Sequence, residues 1–541
     1  MGAYYTPEAV CRFLAAWGVD RSDAKVLEPS CGDASFLVAA AERMDSLSPE
    51  NLFDQNESRA ELIGVEIDKE TADSAANRLN RTVTTEHSIL TGDFFDQHPS
   101  QIFDAVLGNP PFVRYHGFAG SARTNGLRAA LAGGVNLNGL ASSWAPFLVH
   151  ACGFLKPQGK LGMVLPAELL TVHYASPIRT FLLKRFAKLK IILFERLLFE
   201  GAQEDVILLL AEGTGGCDHI NVVQVSDAND LPPDGHIRVD AKHLESDKWT
   251  ATLVNPNTWE TFRNVAEGNA SEPLGDWGEV YLGAVTGCNK FFCLSTAEAD
   301  AAGLSEEDLI PISPPGSRHL RELVFGEPCW RGLCDDGKRG WLFYPDGELL
   351  SRAARAYIKS GEQQKVQDGY KCRHRNPWWR VPTVDVPDLF LTYMAHDRPR
   401  LVTNTARAHH LNSLYGIRLH HGRKQLGREV LPLASLNTVT LLGAEFHGRA
   451  YGGGMLKLEP RESECIPFPN LRRVQDCRDD LLAKRPQVAN AVGRGDLAKA
   501  VAVVDSILWN EDYLSASAHG ILKDARQMMF DRRIERGRSR D

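Results

Sequence analysis

Residues 103–112 read Phe-Asp-Ala-Val-Leu-Gly-Asn-Pro-Pro-Phe and hold the clearest chemistry in the chain. Phe103, Ala105, Val106 and Leu107 give the stretch the apolar character of a short buried strand. It ends in Asn109-Pro110-Pro111-Phe112, where two prolines without N–H groups stop any β-ladder. The Asn109 amide oxygen and the freed backbone carbonyls then stand beside an aromatic ring. That set suits an amine on a flat heterocycle: two acceptors take its two N–H bonds, and Phe112 stacks on the ring face. The amine nitrogen of adenine is a poor nucleophile, because its lone pair is conjugated into the ring. Hydrogen bonds to Asn109 Oδ1 and the Pro110 carbonyl favour a pyramidal nitrogen and stabilise the positive charge that develops when it attacks a methyl group. Read without its surroundings, the same motif is also a proline-rich turn closing a strand.

The upstream elements decide between these readings. Val26-Leu27-Glu28 is a short apolar strand ending in an acid, and it runs through Pro29-Ser30-Cys31-Gly32-Asp33-Ala34-Ser35 into a helix over 36–44. A strand, a tight turn and a helix N-terminus are where cofactors bind at the C-terminal edge of a parallel sheet. A dinucleotide site wants G-x-G-x-x-G to admit a pyrophosphate. This turn has one glycine, Gly32, and an acid ahead of it, which suits a cationic or amino-bearing cofactor. Leu62-Ile63-Gly64-Val65-Glu66-Ile67-Asp68 is a second such strand, with Glu66 placed to accept ribose hydroxyls. A short third strand near 88–90 precedes Gly92-Asp93-Phe94, where Asp93 can accept from an adenine amino group and Phe94 can pack on that ring. Any one acid of this kind is an ordinary surface charge. Four consecutive strand ends offering polar groups to one edge make a site.

With these residues in place, the chain resembles the γ-class, TaqI-like S-adenosylmethionine-dependent N6-adenine DNA methyltransferases of type II restriction–modification systems. Gly2-Ala3-Tyr4-Tyr5-Thr6-Pro7 is similar to that class's opening motif, and Glu28-Pro29-Ser30-Cys31-Gly32 to its methionine-binding turn. Val65-Glu66-Ile67-Asp68 resembles its ribose motif, Gly92-Asp93-Phe94 its adenine motif, and Asn109-Pro110-Pro111-Phe112 its catalytic (N/D)-P-P-(Y/F). Phe199-Glu200-Gly201 with the strand at 205–210 resembles the motif whose ring stacks on a flipped base. The resemblance in order and spacing covers residues 2–211. Ala34 departs from it, standing where a second glycine is common, and Phe112 replaces the commoner Tyr.

The resemblance implies S-adenosyl-L-methionine as cofactor, held by Tyr4, Thr6, Glu28, Pro29, Ser30, Cys31, Gly32, Glu66, Ile67, Asp93, Phe94 and Asn109. It implies catalysis by the Asn109-Pro110-Pro111-Phe112 turn, with Phe112 and Phe199 stacking on the target base. The opening motif at Gly2 leads to the expectation of neither a targeting segment nor an N-terminal nuclease domain, so any restriction endonuclease would be encoded separately.

At 541 residues the chain is expected to form two or three domains. No apolar run reaches the length of about 18 residues that a membrane span needs. Eleven scattered cysteines read as reduced thiols of a cytoplasmic protein. Cys288/Cys293 and Cys329/Cys334 lack neighbouring histidines to complete a zinc site, so no metal is expected. The net charge of −8 looks wrong for a DNA binder, but between Lys371 and Lys457 thirteen Lys/Arg stand against five Asp/Glu. Such asymmetry suggests a nucleic-acid face, with a solvated basic surface as the plain alternative.

The expected architecture is α/β: a Rossmann-like class I methyltransferase sheet, followed by a mixed α+β C-terminal target-recognition domain. The expected boundaries are a catalytic domain at 1–213, a connecting extension at 214–270, a DNA-binding domain at 271–470 and a helical region at 471–541 whose Arg-rich end, including Arg532-Arg533, is read as a frayed tail, with phosphate contact as the alternative. The Gly- and Asn-rich span 113–140 lacks periodicity and reads as a mobile loop. Residues 280–292 resemble the start of γ-class recognition domains. Candidate DNA contacts are Asn289, Lys290, Arg373, Arg375, Trp378, Arg380, Arg398, Arg400, Arg423, Lys424 and Arg449. Arg reads guanine in the major groove, although most cationic contacts go to phosphate.

The expected activity is methyl transfer to N6 of a flipped-out adenine at a specific duplex site, by an enzyme active as a monomer. An N5-glutamine methyltransferase fits less well, because the long basic C-terminal region has no place there. An adenine methylase of RNA would call for an RNA-binding module. A specificity subunit holding cofactor structurally would not need an intact Asn109.

Overall fold

The computed structural model describes residues 6–48, 60–195, 198, 206–232, 235–241, 244, 248–345, 349–451 and 453–538. The chain divides into two units, Met1–Pro256 with Glu535–Asp541, and Asn257–Ile534.

The first unit is built on strands β1 (Lys25–Glu28), β2 (Glu61–Glu66), β3 (Glu86–Thr91), β4 (Phe103–Gly108), β5 (Leu155–Pro166), β6 (Lys188–Phe194), β7 (Val206–Glu212), β8 (His219–Val225) and β9 (Ile237–Asp240). They lie in the order β3-β2-β1-β4-β5-β7-β6-β8-β9. β1 to β5 pair in parallel, and β7 runs antiparallel between β5 and β6. Continuous apolar runs such as Val106-Leu107 and Ile191-Ile192, all fully buried, are what a sheet covered on both faces requires.

The chain order sets the site. From β1 the chain moves outward to β2 and β3, then returns to lay β4 on the other side of β1. The crossovers diverge at that point and open a crevice above the C-terminal ends of β1 and β4, where ligands bind in such sheets. The Pro29–Gly32 turn leaves β1 there, and Asn109-Pro110-Pro111-Phe112 leaves β4. The covering helices are α1 (Glu8–Gly18), α2 (Ser35–Leu47) and α3 (Lys69–Thr82). α1 buries Val10, Cys11, Leu14 and Ala15 at helical spacing.

The span expected to be a mobile loop instead contains α4 (Gly120–Ala132). Its buried positions are Gly126 and Ala130, one turn apart. A Cβ on Gly126 would meet Phe118 at 2.9 Å and Phe95 at 3.1 Å. The packing stripe is made of absent side chains, so no hydrophobic period announces it. α5 (Trp144–Cys152) is buried along its whole length despite Pro146. That proline lies in the first turn, where a missing N–H leaves no intrahelical bond unmade.

The sheet continues past residue 213, since β8 and β9 extend it within the expected connecting extension. The division between the units falls at Pro256.

The second unit carries a five-stranded sheet in the order Gly278–Leu282, Tyr415–Leu419, Leu389–Leu391, Leu401–Asn404 and Val324–Phe325. A small sheet of Cys293–Leu294, Trp341–Phe343 and Leu309–Pro311 has its own core around Phe291, Phe292, Phe343 and Ile358. The helices Arg478–Gly493, Leu497–Leu508 and Ala516–Arg538 follow. The Arg-rich end is not a frayed tail at Arg533. That guanidinium is 4% exposed and pairs with Glu445 at 2.7 Å, and it also donates to the His396 carbonyl at 3.0 Å. Among the described residues, no helix is long and apolar enough to cross a membrane.

Candidate active site

Asn109 sits where three distant segments meet. Its Nδ2 donates to Thr6 Oγ1 at 3.2 Å, and the Ser30 hydroxyl donates to the Asn109 carbonyl at 3.1 Å. The opening motif, the turn after β1 and the turn after β4 are thus tied together around one amide side chain. Pro110 is buried and Phe112 half-buried, the latter packed against the apolar core under the crevice. The far side of the turn is held by Ser143, whose hydroxyl donates to the Pro111 carbonyl and accepts from Val113 N at 2.9 Å. Ser143 is 3% exposed. Nothing in its sequence context marks it, because its partners lie some thirty residues upstream.

The neighbouring turn is organised by Glu66 at the end of β2. One carboxylate oxygen accepts from Gly32 N at 3.0 Å and the other from Asp68 N at 3.0 Å. Gly32 has φ +52, and a Cβ there would point into open space, so the turn presents bare backbone to whatever lies above it. Cys31 donates its N–H to the Val65 carbonyl at 2.9 Å and is buried against Gly64, whose Cβ would come within 2.9 Å of the Cys31 sulfur. Asp33 pairs with Arg78 at 2.5 Å.

Glu28 is 3% exposed and accepts from Leu37 N at 3.2 Å, in the first turn of α2. Burial pushes its carboxyl well above the usual range, partly offset by the helix N–H groups. Burial, with Glu28 and Glu66 nearby, likewise raises the Cys31 thiol, which keeps it a packed, unreactive group. Pro29 is buried beside it.

Ile67 is 69% exposed at the tip of β2, an apolar surface standing open next to an acid. Asp93 accepts from Phe95 N at 3.0 Å and stays half-buried. Phe94 departs from the expectation of an open ligand-packing ring. It is 3% exposed, with its ring centroid 4.8 Å from both Phe147 and His150. Tyr4 and Phe199 lie outside the described residues.

These residues fit S-adenosylmethionine. Glu66 presents a carboxylate able to accept ribose hydroxyls, Ile67 an exposed apolar face against which a purine can pack, and Gly32 bare backbone that a side chain would cover. The acid-rich surroundings suit a sulfonium cation. Among the described residues, no group of three or more His, Cys, Asp or Glu is placed to hold a metal ion.

A second group has no signal in the sequence. Just past the end of β5, the Tyr174 hydroxyl donates to Glu168 Oε2 at 2.8 Å and accepts from Trp144 Nε1 at 3.0 Å. Trp144 follows Ser143, so this chain of bonds braces the helix that clamps the Pro111 carbonyl.

In the second unit, several candidate DNA contacts have partners within their own unit. Arg375 donates to the Thr286 carbonyl at 2.8 Å and to that of Val285. Arg398 is 6% exposed, and burial lowers its guanidinium to about 10. Arg400 pairs with Asp397 at 3.0 Å, Arg423 with Glu272, Lys424 with Asp388 at 3.1 Å and Arg449 with Glu459 at 2.6 Å. Trp378 is half-buried against the Phe291 ring. Asn289, Lys290, Arg373 and Arg380 are exposed.

The sheet order and the crevice residues define a class I S-adenosylmethionine-dependent methyltransferase. Residues 1–246 match the family model for N-6 DNA methylases. Residues 246–509 match that for the C-terminal domain of Type II methyltransferase M.Eco57I. The chain is 21% identical to Type II methyltransferase M.AccI of Acinetobacter calcoaceticus over 85% of its own length and 83% of that protein's. It is 23% identical to Type II methyltransferase M.XamI of Xanthomonas campestris pv. amaranthicola over 87% and 86%. Among solved structures, the Type IIL restriction-modification enzyme MmeI shares the fold with a TM-score of 0.58 and 13% identity, over 97% of this chain and 75% of that one. Over residues 1–246 the chain is similar to the N-6 DNA methylases, and S-adenosylmethionine is its cofactor.

Proposed function

We propose that the protein methylates N6 of adenine at a specific site in duplex DNA, as a γ-class enzyme protecting DNA from a separately encoded endonuclease in the cytoplasm. The observation that carries this reading is Asn109, tied to Thr6 and Ser30 and flanked by the buried Pro110 and the Phe112 ring.

An adenine inside a duplex is out of reach, so the base is flipped into the crevice. There Phe112 stacks on one face, and Phe199 is assigned the other. Asn109 Oδ1 and the Pro110 carbonyl accept the two N–H bonds of the amine. They turn its lone pair towards the methyl group that S-adenosylmethionine supplies, and they stabilise the charge that forms on nitrogen. The Thr6 hydroxyl fixes the Asn109 amide by accepting from its Nδ2, which leaves the oxygen as the group that meets the base. Glu66 and Ile67 hold the cofactor's ribose and purine. Unit Asn257–Ile534 is the DNA-recognition region, and the chain acts as a monomer.

The test is nucleoside analysis of duplex DNA after incubation with enzyme and cofactor. N6-methyladenine as the sole modified base, abolished by Asn109→Ala with cofactor binding retained, is the expected result. Another modified nucleoside, or near-normal methylation by the variant, would overturn the reading.

A further inference from the structure

Most cations of the basic segment are tied to carboxylates or carbonyls of their own unit. The turn at 369–375 differs, because its side chains divide sharply between inward and outward. Arg375 and Cys372 face in. Arg375 grips the Val285 and Thr286 carbonyls, and Cys372 is fully buried with its sulfur 3.9 Å from the Thr286 carbonyl. Gly287 lets the two segments touch. Its φ is +85, and a Cβ there would come within 2.9 Å of Lys371 Cβ. The turn is therefore pinned in place, with its own bonds from Arg373 N to the Gly369 carbonyl and from Arg375 N to the Cys372 carbonyl, each 3.0 Å.

What faces out is an aromatic ring among cations. Tyr370 is 65% exposed. Lys371 Nζ lies 5.7 Å from its ring centroid and the Arg373 guanidinium 5.5 Å. The His374 ring is 4.7 Å away, and its Nδ1 donates to the Tyr370 carbonyl at 2.6 Å. Lys290 is exposed on the segment that Gly287 leads into. From 369 to 380 the sequence has four Arg/Lys and no Asp or Glu. Among the described residues, Lys371 and Arg373 lie over the Tyr370 ring with no carboxylate ion pair. A rigid turn that leaves two unpaired cations around a solvent-exposed phenol gains nothing in the free protein. It is complementary to a polyanion that also carries flat rings.

We propose that this turn is a direct contact to duplex DNA. Lys371 and Arg373 each neutralise a backbone phosphate, Lys290 supports them, and the Tyr370 ring lies against the sugar and base edge between those phosphates. Arg375, singled out by its sequence context for DNA binding, is instead the anchor that presents them. The inference rests on the proposed DNA substrate and gives that substrate a place on the recognition unit.

The test uses the full chain and a fluorescein-labelled duplex, with anisotropy titrations at several salt concentrations. Lys371→Ala with Arg373→Ala is expected to weaken binding about tenfold or more and to reduce the slope of log affinity against log salt by about 1.8, near 0.9 for each phosphate left without its cation. Tyr370→Ala is expected to weaken binding about fivefold with the slope unchanged, and Tyr370→Phe, which keeps the ring, to bind as wild type. A control pair of exposed cations elsewhere on the unit, Lys484→Ala with Arg494→Ala, is expected to leave affinity and slope as they are. Turn variants that match wild type in both quantities, while the wild type binds and methylates DNA, would overturn this inference alone. A wild-type chain with no affinity for the duplex would overturn the proposed function along with it.

Discussion

The Ser143 hydroxyl donates to the carbonyl of Pro111, 32 residues upstream. One buried serine thereby sets the far wall of the turn that carries Asn109, for it also accepts from Val113 N. A proline pair has no N–H with which to hold itself in register, so the turn depends on an outside group. Replacing Ser143 by Ala leaves a half-buried carbonyl and a half-buried N–H short of partners, a local penalty of about 1 kcal/mol. The expected outcome is a fall in kcat of tenfold or more with cofactor affinity within about twofold, read from steady-state methylation and calorimetric titration. Equal losses in kcat and cofactor affinity would show that Ser143 supports the whole unit and not the turn.

Glu66 bridges two backbone N–H groups with its two oxygens. Glu66→Gln keeps the shape but turns one acceptor into a donor facing an N–H. Cofactor affinity is expected to drop about tenfold or more, with DNA binding unchanged. Calorimetry with S-adenosylmethionine checks it, and unaltered affinity would remove Glu66 from the cofactor site.

The four strand ends are readable from sequence because apolar runs ending in acids or prolines are local signals, whereas the order in which the strands lie in the sheet is not. α4 is not, since Gly126 and Ala130 bury backbone and leave no apolar period. Nor can the roles of the arginines be read. Arg373 and Arg375 look alike in sequence, yet one is exposed and the other is half-buried on two carbonyls. That difference is made by Gly287 and Thr286, some ninety residues away. Arg533 has the sequence surroundings of a tail residue because its partner Glu445 lies on another helix.

Acid sensitivity follows from two histidines of the second unit, the buried His410 and the half-buried His319. Burial lowers His319 and His410 to about 4, below the ordinary 6.5. Between those values the unfolded chain takes up protons that the folded unit does not, so stability falls as pH drops from about 6.5 to 4, by up to about 3 kcal/mol for each. Glu28 in the first unit works the other way. Its raised carboxyl makes a contribution that is lost as pH rises through its folded value. Urea unfolding monitored at pH 7.5 and 5 is expected to show the second unit weakened at the lower pH. A flat or rising profile for that unit would contradict the assignment.

The Arg533–Glu445 pair is almost fully buried, at 4% and 8% exposed. Arg533→Ala strands a buried carboxylate and is expected to destabilise the second unit by about 3–5 kcal/mol. Thermal unfolding of the full chain checks this. A Tm within a degree or two of wild type would mean that the pair is solvated in solution.

The most direct test of the central claim is methylome sequencing of plasmid DNA from a methylation-deficient host expressing this chain, beside the same host expressing Asn109→Ala. The account predicts N6-methyladenine at one recurrent sequence motif in the first plasmid and none in the second. An unmodified plasmid despite folded, cofactor-binding protein, or equal methylation by the variant, would contradict it.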